Sequence, residues 1–447
     1  MHEQNNCSFE RMVRQTLETM KPRIFIAIHY MHLGGAETSL IGLLQALEPQ
    51  KVDVDLFVYS HEGDLMKLIP KYVNLLPEDK TWSMFEKSLK EVFLSGEFKM
   101  GLARLKNKYL CKAYMKQPNS NPLGADCSYL GFEVSKVLPD VNPSVTYDLA
   151  ISFLTPHNFV LDHVKAHKKI CWIHTDYTRV GVVAELEKSV WEQYDYISSI
   201  SPEVTKTFLQ VFPSCSGKVI EIENILSPIF VRHRAEELAI DWCKEHKTFR
   251  ILSIGRFSEP KNFDNLPFIC SILIEELKRL LSVNLFNEAK NHDCIPNVAR
   301  RIIENGCDIK WYIIGFGSDE PLIRQKISEA GMQDHVIILG KKENPYPYIK
   351  ACDIYVQPSR YEGKSVTVRE AQILCKPVVV TNYPTASSQV QDGVDGVIVP
   401  MDNEGCAKGL AEFILDEAKQ SQFVEYLKTH DYGNVNEVNK IYNILGL

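Results

Sequence analysis

The stretch YEGKSVTVREAQIL, Tyr361 to Leu374, reads as a loop running into a helix. Glu362 and Glu370 stand eight positions apart in it. Eight residues of helix make about 2.2 turns, so two carboxylates at this spacing can face the same way. Glu362 falls in the loop and Glu370 on the first helical turns. The apolar run CDIYVQPSR precedes the stretch and CKPVVVTNYP follows it. Each reads as a buried parallel strand. Two carboxylates and a row of backbone N–H groups therefore stand where a strand's carboxyl end meets a helix start, the place where open α/β sheets bind ligands. A Glu there is also a plain partner for the helix dipole.

Upstream, FRILSIGRF (249–257) reads as a strand and SEPKNFDNLPFICSIL as the loop and helix after it. Arg256 and Lys261 stand five apart across that turn. A pyrophosphate asks for such a pair, Arg for bidentate bonding and Lys as a point charge. The bland alternative is two solvated cations. Further strands are expected at 309–317, 335–340, 353–358, 376–381 and 396–400, a long helix or insertion at 284–306, and helix from Gln420 to Leu447.

The first half repeats the texture. After a polar helical lead-in (1–22), RIFIAIHY (23–30) runs through MHLGGAETSL into an apolar helix. Gly34 and Gly35 permit positive φ and close backbone approach to a ligand, or make a plain tight turn. They are not a G-x-G-x-x-G dinucleotide fingerprint. Strands are expected at 52–59, 147–153, 168–174, 194–200 and 218–224. The D-x-D at Asp53 to Asp55 reads as the solvent face of its strand. His174 closes a strand in WIHTDY; a lone His is usually structural, but one at a strand tip can contact a ligand. Residues 64–145 show no strand alternation. Within them 99–116, KMGLARLKNKYLCKAYMK, carries six cations and no acid, interleaved with apolar residues. Such a helix can lie on anionic lipid or form a solvated face over a core.

A chain of 447 residues is too long for one ordinary core, so two domains are expected. Their limits read as 1–228, with a helix from about 425 to 447 crossing back, and 229–424, with a charged connector over 231–246. A net charge of −7 argues against a nucleic-acid partner. The twelve cysteines are scattered, with no C-x-x-C pair and no zinc spacing, as in a reducing compartment. Without a signal-like apolar start or a run of 18 apolar residues, a cytoplasmic chain is expected.

These pieces together resemble the retaining glycosyltransferases of family 4. Four segments carry the resemblance: GGAETSL (34–40), IGRFSEPKNF (254–263), IIGFGSDEPLI (313–323) and YEGKSVTVREAQILCKPVVVTN (361–382), the last as the family's Glu-x7-Glu element. The match is close over most of 250–400. The first half matches only at its glycine loop and WIHTDY. The resemblance implies an α/β protein of the GT-B type, two doubly wound Rossmann-like domains facing across a cleft. It implies that Arg256 and Lys261 hold the donor diphosphate and that Glu370 accepts from the nucleotide ribose. Glu362 would meet the sugar hydroxyls, with Gly363, Lys364 and Ser365 offering N–H groups nearby. Gly34 and Gly35 would approach the diphosphate, and His174 the sugar. Lys364 and Ser365 depart from the family's usual residues after Glu-Gly, and Glu259-Pro260-Lys261-Asn262 replaces its Glu-Lys-Gly.

The implied activity is retaining, metal-independent hexosyl transfer, with no cofactor, from a nucleotide-diphosphate sugar to a saccharide or lipid-linked acceptor. Bacterial surface polysaccharide is the expected product and the inner membrane face an expected place of work, through peripheral contact at 99–116. The alternatives are a nucleotide-sugar epimerase or hydrolase of the same fold and a non-catalytic nucleotide-sugar binder.

Overall fold

Every apolar run quoted above forms a strand, a little shorter than its apolar stretch. The structure, a computed structural model, describes residues 21–32, 34–116, 122–237, 248–287 and 309–447. Nearly all of the expected lead-in, and most of the connector at 231–246 and of the segment at 284–306, lie outside them. The chain divides into two compact units, Met1–Ile225 with Asn434–Leu447, and Leu226–Gly433.

The first unit is built on a seven-stranded sheet of order β3-β2-β1-β4-β5-β6-β7, every neighbouring pair parallel. Its strands are β1 (Arg23–Ile28), β2 (Asp53–Val58), β3 (Asn74–Leu75), β4 (Tyr147–Ser152), β5 (Ala166–Ile173), β6 (Tyr196–Ser199) and β7 (Val219–Glu221). Helix α1 (Gly35–Ala46) follows β1. Between β3 and β4 stand α2 (Leu89–Leu94), α3 (Phe98–Tyr114) and α4 (Pro122–Ser135). That explains the missing alternation over 64–145: its described residues form helices and loops, with two residues of β3 as the strand among them. A two-residue strand is too short to show a period.

One expectation is corrected here. Asp55 does not face solvent. It is buried, ion-paired with Arg23 at 2.8 Å and bonded by Tyr147 Oη at 2.7 Å and Asn74 Nδ2 at 2.8 Å. A buried carboxylate persists because its oxygens are so paired.

The second unit carries a six-stranded parallel sheet of order β10-β9-β8-β11-β12-β13. Its strands are β8 (Phe249–Ile254), β9 (Ile309–Ile314), β10 (Val336–Gly340), β11 (Ile354–Gln357), β12 (Val378–Thr381) and β13 (Val397–Val399). Helices α5 (Leu266–Asn287) and α8 (Asn403–Leu415) bury Leu266, Ile269, Leu273, Leu277, Leu410 and Ile414 in one apolar cluster with Ile251, Trp311 and Val356. On the other side α6 (Tyr346–Ala351) and α7 (Val366–Ile373) pack with Leu252, Tyr355 and Val380. Sheets covered on both faces explain why the strands read as continuous apolar runs.

The last helix, α9 (Val438–Leu445), belongs to the first unit. The Glu48 N–H donates to Tyr442 Oη at 2.7 Å, the Glu223 N–H to Glu437 at 2.9 Å, and Lys168 Nζ to the Ile444 carbonyl at 2.5 Å. The helix over Glu417–Thr429 stays with the second unit, so the returning segment starts at Asn434 rather than near 425.

Candidate active site

In the second sheet β8 and β11 are neighbours although β9 and β10 lie between them in the chain, so the strand order reverses there. Such a switch point leaves a crevice beyond the strands' carboxyl ends. Both motif loops start there: Arg256 and Lys261 follow β8, and Glu362 follows β11.

After β8 the chain makes a single 3-10 turn, Glu259–Lys261. Asn262 then takes the left-handed conformation, φ 60°. Asn pays less than most residues there, and Asn265 Nδ2 bonds its side-chain oxygen at 2.8 Å. This is how the turn closes where the family resemblance leads one to expect Gly. Gly315 and Gly317, after β9, leave room for the same loop: a Cβ at Gly315 would stand 2.0 Å from the Gly255 carbonyl oxygen, and one at Gly317 would stand 2.3 Å from that of Phe257.

Lys261 Nζ meets Glu362 Oε1 at 2.5 Å. The same oxygen accepts from Ser359 Oγ at 2.6 Å and from Gln357 Nε2 at 3.0 Å. Gln357 in turn accepts from Tyr355 Oη at 2.6 Å, and Thr385 Oγ1 donates to the Glu362 carbonyl at 2.9 Å. Glu362 is therefore held by one oxygen in a nearly buried network. Its Oε2 takes no hydrogen bond from the described residues. Arg360 ties the two loops together, gripping Asp264 through both terminal guanidinium nitrogens at 3.0 and 3.1 Å, while its backbone N–H donates to the Pro260 carbonyl at 2.8 Å. Arg256 is exposed, and its guanidinium has no hydrogen-bond or ion-pair partner among the described residues.

Glu370 is the fifth residue of α7 and is buried at 3% exposure. Tyr346 Oη donates to its Oε1 at 2.8 Å. Burial pushes its carboxyl up to about 7, against the opposing pull of that hydrogen bond. The two acids thus keep separate company, Glu362 with Lys261 and Glu370 with Tyr346. Ser365 precedes α7 with no side-chain cap; its N–H donates to Gln389 Oε1 at 2.7 Å and its carbonyl accepts from Gln389 Nε2 at 2.9 Å. That pairing takes the Ser365 N–H out of the set of donors open to a ligand. Gly363 and Lys364 lie half-buried in the loop before it.

The sequence names the charged members of this site and misses their supports: Gln357, Ser359, Arg360, Asp264, Tyr346 and Gln389. One signal was available. Gln357 is a polar residue in an apolar strand and is fully buried, which requires partners for its amide.

Three site residues belong to the first unit. Gly34 is extended, φ −164°, and Gly35 opens α1, so neither uses the positive φ that glycine permits. A Cβ at Gly34 would stand 2.2 Å from Glu37 Oε2, so a side chain there would require the Glu37 carboxylate to shift. His174 follows β5 and its Nε2 lies 3.0 Å from the Phe153 carbonyl oxygen. A carbonyl only accepts, so Nε2 carries the proton and Nδ1 is the acceptor. Burial holds this His down to about 4, leaving it neutral. Among the described residues no group of three or more His, Cys, Asp and Glu side chains is placed to hold a metal ion.

A family model described as glycosyl transferases group 1 matches residues 271–430. The chain is 27% identical over 124 residues to N-acetylgalactosamine-N,N'-diacetylbacillosaminyl-diphospho-undecaprenol 4-alpha-N-acetylgalactosaminyltransferase of Campylobacter jejuni, covering 27% of this chain and 34% of that one. It is 28% identical over 178 residues to the amylovoran biosynthesis glycosyltransferase AmsK of Erwinia amylovora, covering 38% and 36%. These matches span about a third of each relative's length. The fold matches the crystal structure of Anabaena Alr3699/HepE in complex with UDP and glucose, with a TM-score of 0.59, 15% identity, and 95% of this chain and 99% of that chain covered. The architecture, two Rossmann-like α/β units with parallel sheets, is that of the GT-B glycosyltransferases.

Proposed function

We propose that this protein transfers a hexosyl unit from a nucleoside-diphosphate sugar to a saccharide or lipid-linked acceptor, with retained anomeric configuration, as the family 4 enzymes do. Bacterial surface-polysaccharide assembly is the setting that its curated relatives support. The observation that carries the reading is the Lys261–Glu362 pair. It joins a cation to a carboxylate across the two loops that open the sheet's switch point, with Arg256 five positions upstream.

The chemistry follows from charge. Breaking the bond between the sugar's anomeric carbon and the diphosphate oxygen leaves an oxocarbenium-like sugar and puts new negative charge on the diphosphate. Preorganised cations meet that charge most strongly in the transition state. Lys261 and Arg256 take this role. Glu362, anchored through Oε1, offers Oε2 to a sugar hydroxyl. Glu370 accepts from the nucleotide ribose, exchanging its bond with Tyr346 for bonds to the ligand. Gly363 and Lys364 line the loop that meets the sugar, and Ser365, locked by Gln389, fixes the start of α7. Gly34, Gly35 and His174 keep the roles the family resemblance implies: the glycines toward the diphosphate, and the His accepting a sugar hydroxyl proton at Nδ1. The acceptor's oxygen bonds to the anomeric carbon on the face the diphosphate leaves, and its proton passes to the departing diphosphate. With two cations on that oxygen, the reaction runs without a metal.

The test is a panel of nucleotide sugars incubated with and without saccharide and polyprenyl-phosphate-linked acceptors, in the presence of a chelator. Release of nucleoside diphosphate that depends on acceptor, with a product of unchanged anomeric configuration by NMR, is expected. Donor consumption that ignores the acceptor points to the epimerase or hydrolase alternative. An inverted linkage, or activity abolished by chelation and restored by a divalent cation, overturns the mechanism.

A further inference from the structure

Helix α3 buries one face and exposes another, and the exposed one is apolar along its centre. Met100, Gly101, Ala103 and Asn107 face the first unit's core. Gly101 leaves the space into which the Phe93 ring of α2 packs, 2.5 Å from where a Cβ would be. On the opposite side Phe98 is 62% exposed, Leu102 62%, Leu105 44% and Tyr109 72%, and Leu94 at the end of α2 is 77% exposed. At about 100° per residue, Phe98, Leu102, Leu105 and Tyr109 fall within about 60° of arc. Four large side chains stacked in one solvent-facing stripe are an uncommon cost on a helix whose other face already packs.

The flanks of the stripe are basic. Of the six cations between 99 and 116, two are committed within the fold. Arg104 turns back to the Met84 and Lys87 carbonyls, and Lys106 pairs with Glu133 at 2.8 Å. Lys99, Lys108, Lys112 and Lys116 are exposed and have no ion-pair partner among the described residues. Lys99 and Lys108 border the stripe on either side. Lys112 and Lys116 continue it toward the helix's carboxyl end. No acidic residue lies in α3 itself. A second copy laid on this face would set lysine against lysine. An anionic surface with an apolar interior satisfies both halves of the pattern at once: lysines at headgroup level and Phe98, Leu102, Leu105 and Tyr109 among the acyl chains. Among the described residues no helix is long and apolar enough to cross a membrane.

We infer that α3 is an in-plane membrane-docking helix that seats the first unit on an anionic lipid surface by inserting this stripe. It rests on the geometry of α2 and α3 alone and is independent of the sugar-transfer reading.

The test is flotation of the full chain with vesicles of phosphatidylcholine alone and of phosphatidylcholine mixed with phosphatidylglycerol, at low and high salt. The wild type should float with the mixed vesicles and not with the neutral ones. Leu102→Gln with Tyr109→Gln should weaken partitioning at least about tenfold, since burying each such side chain contributes on this scale. Lys108→Gln and Lys112→Gln should each weaken it about fivefold. All four positions are exposed, and circular dichroism with a melting curve checks that each variant folds. In Phe98→Trp, the indole emission should shift to the blue on adding mixed vesicles and be quenched by brominated lipid. Three results overturn the inference. The wild type could remain with neither vesicle. The Leu102→Gln/Tyr109→Gln variant could bind as well as wild type, leaving charge alone, as for an acidic protein partner. Or the wild type could run as a dimer that Leu102→Gln makes monomeric, so that the stripe is a self-interface. None of these readouts uses a donor, so they fail or succeed apart from the transfer activity.

Discussion

The two sheets share a topology and differ in what stands at the point where strand order reverses. In the second unit, beyond β8 and β11, the groups are charged and interlocked: Lys261 with Glu362, Arg360 with Asp264, and Arg256 exposed beside them. In the first unit, beyond β1, β4 and β5, the groups are histidines. His29 meets Glu86 at 3.2 Å and stacks on Tyr59; His157 bonds Ser152 at 2.9 Å; His174 bonds the Phe153 carbonyl. Burial holds His157 down to about 3 and His174 to about 4, so both stay neutral. One switch point gathers interlocked charges, and the other holds two of its three histidines neutral. A fold of this kind does not fix the chemistry; the loops added at its strand ends do.

The largest effect expected from this contrast is at Lys261. Lys261→Ala should lower kcat by about 10²–10³ with donor affinity changing far less, because removing a donor aimed at developing charge costs about 2.7–4 kcal/mol. Gln357 and Ser359 still hold Glu362 in the variant, so the fold should persist, which a melting curve checks. Arg256→Ala should follow the same pattern. A variant with normal kcat and weakened binding would make Lys261 a mere anchor.

Glu370→Gln should weaken nucleoside-diphosphate binding about tenfold by calorimetry, as expected for hydrogen bonds to a charged acceptor. Its pH behaviour sharpens the test. The wild-type carboxyl titrates near 7, and the ionised form accepts best from a ribose, so affinity should rise through about pH 7 and be flat in Glu370→Gln. Stability should move the other way. Between the ordinary 4.5 and about 7 the folded chain keeps a proton that the unfolded chain has released, so stability falls as pH rises through that window and levels off above it. The Gln variant should lose that slope.

For His174 the expectation is smaller. His174→Ala should cost about tenfold in kcat/KM with no change in the pH profile above about 5, since the ring is already neutral there. A new acid limb in the wild type that disappears in the variant would contradict a neutral acceptor. Arg360→Ala touches only the tether between the two loops and should lower Tm by about 2–4 °C, the scale of about 1 kcal/mol in a domain of this size.

The sequence made the strands and the charged groups legible because buried parallel strands leave unbroken apolar runs and because Arg, Lys and Glu at strand ends have few other reasons to recur together. It left three things out of sight. Of the groups that hold Glu362, Ser359 and Gln357 stand just before it but read as the end of an apolar strand, and Lys261 stands 101 residues away. The burial of Asp55 depends on Arg23 on the adjacent β1 and Tyr147 on β4 beyond it, while alternation alone put it outside. The basic segment at 99–116 gave two readings because its composition suits a core-covering helix and a lipid-facing one; only the exposure of Phe98, Leu102 and Tyr109 separates them. Gly34 shows the converse, a residue singled out for a freedom of φ that it does not use.

A structure with a nucleoside-diphosphate sugar bound is the measurement that meets the central claim head on. The account predicts the diphosphate within hydrogen-bonding reach of Lys261 and Arg256, the ribose on Glu370 in place of Tyr346, and a sugar hydroxyl on Glu362 Oε2. A donor bound away from the carboxyl ends of β8 and β11, with the Lys261–Glu362 pair untouched, would contradict it.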